Sequence, residues 1–222
     1  MSNLLAVAPF DFGAIFSNLF KRWYYYVALL VFLVAVVVVF LTVKKKRNNL
    51  NQTQKIVYTA IFSALAFVAN YLTIPVSIVK QISLVATVGF IAGYTLGGLG
   101  GFVAAFIGDF ICGIIAPFGP YNPIIGIGTG LWGLIPGIIF TFTKGNDFIK
   151  LSISFVLGFV FNSFLVNTLG LSLMYTMTFE SLMVLLPTKL LVAAINAVIS
   201  ALLVPVLRKV LPKDKFPFVV NK

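Results

Sequence analysis

Apolar residues in this chain run in blocks too long for the core of a soluble domain. Such stretches cover residues 24–43, 56–72, 82–96, 102–116, 124–142, 151–175 and 184–207. About 20 apolar residues in a helix cross the ~30 Å hydrocarbon layer of a bilayer. Backbone polar groups in lipid must be satisfied within the segment, which favours helix. The pattern therefore predicts seven membrane helices joined by short connections. The breaks are of several kinds. Lys44-Lys45-Lys46-Arg47 and a polar stretch to Lys55 follow the first run, and Pro75 and Lys80 interrupt residues 73–81. Gly97-Gly98-Leu99-Gly100-Gly101 predicts a tight turn, and three prolines mark residues 117–123. The first run has neither the short apolar core nor the small-residue cleavage site of a signal peptide, so it is expected to be retained. The fold class that follows is all-α, a polytopic membrane helix bundle. Its expected parts are an N-terminal arm (1–23), an extra transmembrane helix (24–43), a basic linker (44–55), a six-helix membrane domain (56–207) and a basic tail (208–222).

Composition sharpens this picture. Of the 222 residues 60% are hydrophobic and 9% charged, against about 25% charged in soluble domains. Mean hydropathy is +1.09. The net charge of +11 is a matter of placement, not of nucleic-acid binding. Twelve of the sixteen basic residues fall on one side of the predicted bundle: Lys44–Arg47, Lys55, Lys144, Lys150, Arg208, Lys209, Lys213, Lys215 and Lys222. Lys21, Arg22, Lys80 and Lys189 fall on the other. Basic residues accumulate on the cytoplasmic side of membrane proteins, so the N-terminus is expected outside and the C-terminus inside a bacterial cell membrane.

Candidate chemistry is sparse. There is no histidine and one cysteine, Cys112, so neither an internal disulfide nor a Cys/His metal cluster can form. No phosphate loop, nucleophile elbow or dinucleotide motif is present. No enzyme, metal or cofactor is expected. Asp109 is the one acid inside an apolar run, and such a carboxylate is costly in lipid without a partner. Two readings stay open: an Asp109–Lys189 ion pair joining two helices, or a polar pocket open to the outer side. Other polar residues converge at that depth: Lys80 and Gln81, Tyr121 and Asn122, Asn167, Thr168, Ser172 and Tyr175, and Lys189 with Asn196 seven residues on. Their convergence from four segments favours a ligand pocket over simple interhelical bonding. Ala60 and Ala64 form a small-xxx-small pair that lets another backbone approach closely. On pattern alone, internal packing is the commoner use.

Three stretches carry a family likeness: 108–113 with 117–123, 167–175, and 185–190, that is GDFICG with PFGPYNP, NTLGLSLMY and LLPTKL. Over about residues 52–210 the chain resembles the substrate-binding S components of energy-coupling-factor (ECF) vitamin transporters, most of all the folate-type ones. The resemblance implies a six-helix core that binds a scarce vitamin with high affinity from outside. It implies docking on a shared module of one transmembrane coupling protein and two ATPases, and assigns Ala60 and Ala64 to that docking. For a folate-like ligand, Asp109 would accept from the pterin edge. Lys80 and Lys189 would meet the glutamate carboxylates, and Tyr121 and Tyr175 would stack on the ring. Gln81, Asn122, Asn167 and Ser172 complete the expected lining. An S component for another micronutrient, and a non-transport membrane scaffold, are the alternatives.

Overall fold

A computed structural model describes residues 49–75, 81–115, 121–174 and 184–216 of the chain. The arm at 1–23, the predicted helix at 24–43, Lys44–Arg47 of the basic linker and the end of the tail lie outside the described residues, as do Lys80 and Tyr175. The remainder folds into helices α1 (Gln52–Tyr71), α2 (Val85–Leu96), α3 (Gly98–Ile115), α4 (Pro123–Phe142), α5 (Asp147–Gly158), α6 (Asn167–Met174) and α7 (Leu186–Val210). A π-helical segment, Phe159–Val166, joins α5 to α6 without a break. Four spans are long and apolar enough to cross a membrane: Gly98–Ile115, Pro123–Phe142, Asp147–Leu171 and Leu186–Val210.

Local signals explain the helix starts. The Asn51 N–H donates to Gln54 Oε1 at 3.1 Å ahead of α1. The Asn122 side chain caps α4 by accepting from Ile124 N at 3.0 Å, with Pro123 in the first turn. Asn146 does the same for α5 through Phe148 N. Arg208 and Lys209 lie in the last turn of α7, where cations suit the helix dipole.

Two predicted boundaries need correction. The third apolar run does not make a spanning helix. Residues Ile74–Pro75 and Gln81–Ile82 pair as a two-residue antiparallel ladder, and α2 begins only at Val85. At twelve residues it is about 18 Å long, short of a bilayer core. The glycine-rich turn also shrinks. Gly97 alone makes it, with φ of 88°, a backbone state that favours glycine. Gly98 already begins α3, and Gly101 serves helix packing: a Cβ there would lie 2.5 Å from Gly93 Cα and 2.8 Å from Gly133 O. Gly93, Gly101 and Gly133 thus form a junction where α2, α3 and α4 meet backbone to backbone.

Around this junction α4 is the most enclosed span. An aromatic core of Phe90, Tyr94, Trp132, Phe140 and Phe155 fills the space between α2, α4 and α5, with Phe90 and Phe155 rings 5.4 Å apart and Tyr94 edge-on to Phe140 at 5.0 Å. Arg208 closes one end of the bundle. It forms an ion pair with Asp147, and its Nε donates to Tyr94 Oη at 3.2 Å. This end, with Lys55, Lys144 and Lys150, is called the basic end below. The opposite end carries the short ladder and is called the hairpin end.

Candidate ligand site at the hairpin end

Asp109 is placed inward by the small-residue stripe of α3, on which Gly101, Ala104, Ala105, Gly108 and Cys112 are also buried. Its carboxylate is satisfied by two other helices. Asn70 Nδ2 of α1 donates to Oδ1 at 2.7 Å. Thr129 Oγ1 of α4 lies 3.2 Å from the same oxygen and 3.2 Å from Ile125 O. Neither Asn70 nor Thr129 stands out in the sequence. Asn70 is one amide at the end of an apolar run, and Thr129 one hydroxyl in a glycine-rich helix.

Tyr121 arrives at the same place from the proline-rich loop. Its ring stands edge-on to Phe110 at 5.3 Å. A Cβ on Gly126 would overlap the Tyr121 hydroxyl and lie 3.2 Å from Asp109 Oδ2, so phenol and carboxylate share the space above that glycine. The Tyr121 hydroxyl is buried and, among the described residues, has no hydrogen-bond partner. Burial first, and the Asp109 charge second, push its pKa up to about 12. It therefore remains a proton donor at physiological pH, and a buried donor without an acceptor is costly.

Lys189 does not meet Asp109. Its Nζ donates to the backbone carbonyl of Ser163 at 3.2 Å. The π segment explains why that carbonyl is free to accept. The Asn167 N–H bonds to Asn162 O, five residues back, so Ser163 O loses the donor it would have in an α-helix. Thr168 Oγ1, at 3.4 Å, and Lys189 take its place. An ammonium has three donors, and among the described residues Lys189 has no carboxylate partner. The ion-pair reading is thus replaced by two separate polar centres, one on α1, α3 and α4 and one on the π segment, α6 and α7.

The remaining expected residues divide. Asn122 uses its Oδ1 as the α4 cap, and its Nδ2 donates to Gly170 O at 2.9 Å, tying the proline-rich loop to α6. Asn167 and Thr168 are half-buried at the π–α junction. Gln81 lies in the ladder and Ser172 in α6, with their side chains outside the described set. Asn196 shares a face of α7 with Lys189 but has no free capacity. It is fully buried, its Oδ1 accepts from Thr87 N at 2.9 Å and Thr87 Oγ1 at 2.7 Å, and its Nδ2 donates to Ser83 O and Val192 O. Asn196 therefore joins α7 to the start of α2.

On α1 the inward face is Ser63 and Ala66. These lie so close to Gly108 that a Cβ on that glycine would be 2.5 Å from Ala66 Cβ. Ala60 and Ala64 are exposed on the other side, beside the exposed Ile56, Val57, Ile61, Leu65 and Val68.

Compared with known protein families, residues 49–213 match the family model described as the S component of the ECF-type riboflavin transporter. No curated protein matches the chain.

Proposed function

Because the chain belongs to the family of ECF-type riboflavin transporter S components, and is therefore a vitamin-binding membrane subunit of a transporter and not an enzyme, we propose that its hairpin-end site captures riboflavin. The observation that carries this reading is Lys189. Its half-buried ammonium is held against a backbone carbonyl and, among the described residues, has no carboxylate partner. The pyrimidine-dione edge of a flavin presents two carbonyl oxygens, which such a donor recognises without needing a second full charge. Thr168 Oγ1 reaches the same carbonyl, and Asn167 is half-buried beside it. The Asp109 carboxylate and the Tyr121 phenol suit the ribityl chain, whose hydroxyls both donate and accept. The family description speaks for a flavin over the folate-like ligand suggested by the motifs at 108–123 and 185–190, and against a non-transport scaffold.

Titration of the purified protein tests the ligand. Riboflavin binds at submicromolar concentration, and Lys189→Met weakens it about 10- to 100-fold, on the order of 1.4 to 3 kcal/mol for one charge-assisted hydrogen bond. Tight binding of folate, with riboflavin binding only weakly, would restore the folate reading. An unchanged riboflavin affinity in the Lys189 variant would remove Lys189 from the site.

The same reading orients the protein. The basic end faces the cytoplasm, where the two ATPases join the coupling protein that engages the exposed Ala60–Ala64 face of α1, and the hairpin end faces outward. In an Asn49→Cys variant made in a Cys112→Ala background, a membrane-impermeant maleimide labels inside-out vesicles and leaves intact cells unlabelled. Labelling of intact cells would invert the topology.

A further inference from the structure

The helix that carries the proposed docking face is only lightly buried where that face begins. No residue from Gln52 to Phe62 is buried, and burial along α1 starts at Ser63. Three turns of helix that bury no residue fully gain little from packing and are marginal by themselves.

Among the described residues, the far end of the chain contacts the start of this stretch. Beyond α7 the backbone extends at Leu211 and then turns, with Lys215 N and Phe216 N both donating to Pro212 O, at 3.2 and 3.0 Å. The turn returns Phe216 to α1. Its side chain is fully buried, and its ring meets the Tyr58 ring edge-on at 5.8 Å. Asn49 N donates to Lys215 O at 2.9 Å, Asn49 Nδ2 donates to Asp214 O at 3.3 Å, and Leu50 is buried beside the turn. Ala60 follows Tyr58 by two residues, about 200° around the helix. The tail thus holds the back of α1 while Ala60 looks away from it.

We infer that the segment Pro212–Phe216 is a positioning clasp for partner docking: by pinning Tyr58 it fixes the direction in which α1 presents Ala60 and Ala64 to the coupling protein. The inference rests on the docking role proposed above for those alanines. It does not involve the ligand site. Asn70, the α1 residue at that site, lies twelve residues beyond Tyr58, about 18 Å along the helix.

The test uses the full chain with three readouts: capture of the coupling protein from co-expressing membranes, riboflavin affinity, and amide hydrogen exchange along α1. Phe216→Ala lowers capture at least tenfold and speeds exchange between Gln52 and Phe62. It leaves exchange near Asn70 and the riboflavin affinity unchanged. Phe216→Trp, which keeps a ring against Tyr58, recovers most of the capture. Ala64→Trp is the control. If it captures normally, the docking role of the alanines is wrong. If it loses capture while Phe216→Ala captures like the unaltered chain, docking stands and the clasp is refuted. A Phe216→Ala protein whose thermal midpoint and riboflavin affinity fall together with capture also refutes it, because the tail would then hold up the whole bundle. Should Phe216→Ala not fold, Phe216→Leu read by exchange decides, with unchanged protection of Gln52–Phe62 and unchanged capture counting against the clasp.

Discussion

Ala64→Trp abolishes uptake while riboflavin binds to the isolated subunit with unaltered affinity. Ala64 is exposed on α1, and the inward face of that helix is occupied by Ser63 and Ala66 against Gly108. An indole at 64 therefore enters no packed interior and leaves the fold intact. It stands several ångströms above a surface whose proposed docking use depends on smallness, because helices in lipid associate chiefly by close van der Waals approach. Ala60→Trp, one turn earlier, has the same result. Transport assays in cells, set beside titration of the purified variant, separate the two functions. Loss of riboflavin binding in a well-folded Ala64→Trp protein would place the alanine in internal packing and overturn the docking assignment.

Gly133→Val yields no stably folded protein. A Cβ on Gly133 would overlap the Gly101 carbonyl and lie 2.9 Å from Gly101 Cα. These are backbone atoms, which cannot rotate aside as a side-chain tip can. Accommodation means moving α3 away from α4, and with it the Gly93 contact of α2. Overpacking a well-filled core costs about 1–3 kcal/mol where side chains can adjust, and more here, where whole helices must shift. Gly133→Ala is the milder version and lowers the thermal midpoint in detergent by several degrees or more. Size-exclusion profiles and melting curves check both. A Gly133→Ala protein that melts like the unaltered chain would mean that the three helices do not meet as closely as described. The contrast is Gly145, whose φ of 117° matters but around whose added Cβ there is open space.

The four long spans are legible in the sequence because twenty successive apolar residues have one physical reading in a membrane protein. The start of α2 is not. Ile82 and Leu84 are as apolar as the helix that follows, so hydropathy places the boundary three residues early. The local mark is Ser83, whose Oγ accepts from Val85 N at 3.1 Å. Glycine is ambiguous in the same way. It serves a turn at Gly97 and close packing at Gly101, and only a positive φ or a neighbouring helix tells the two apart. Asp109 is visible as the one acid in an apolar run, but its partners are not. Which asparagine and which threonine reach it depends on how α1 and α4 cross α3, a long-range property. Lys189 and Asn196 show the limit of helical spacing. Seven residues apart places them on one face, yet Lys189 meets the π segment and Asn196 the start of α2.

The shortness of α2 bears on how the chain enters the membrane. Twelve residues containing two threonines and two glycines are a poor substrate for insertion as a lone segment, since a spanning helix needs about twenty. α3, beginning directly after Gly97, is long enough. By length, the helical hairpin Val85–Ile115 is the smallest unit here that suits insertion, with α2 accompanying α3. Because Gly93 and Gly101 lie on facing sides of that hairpin, its two arms can close before any later helix is made.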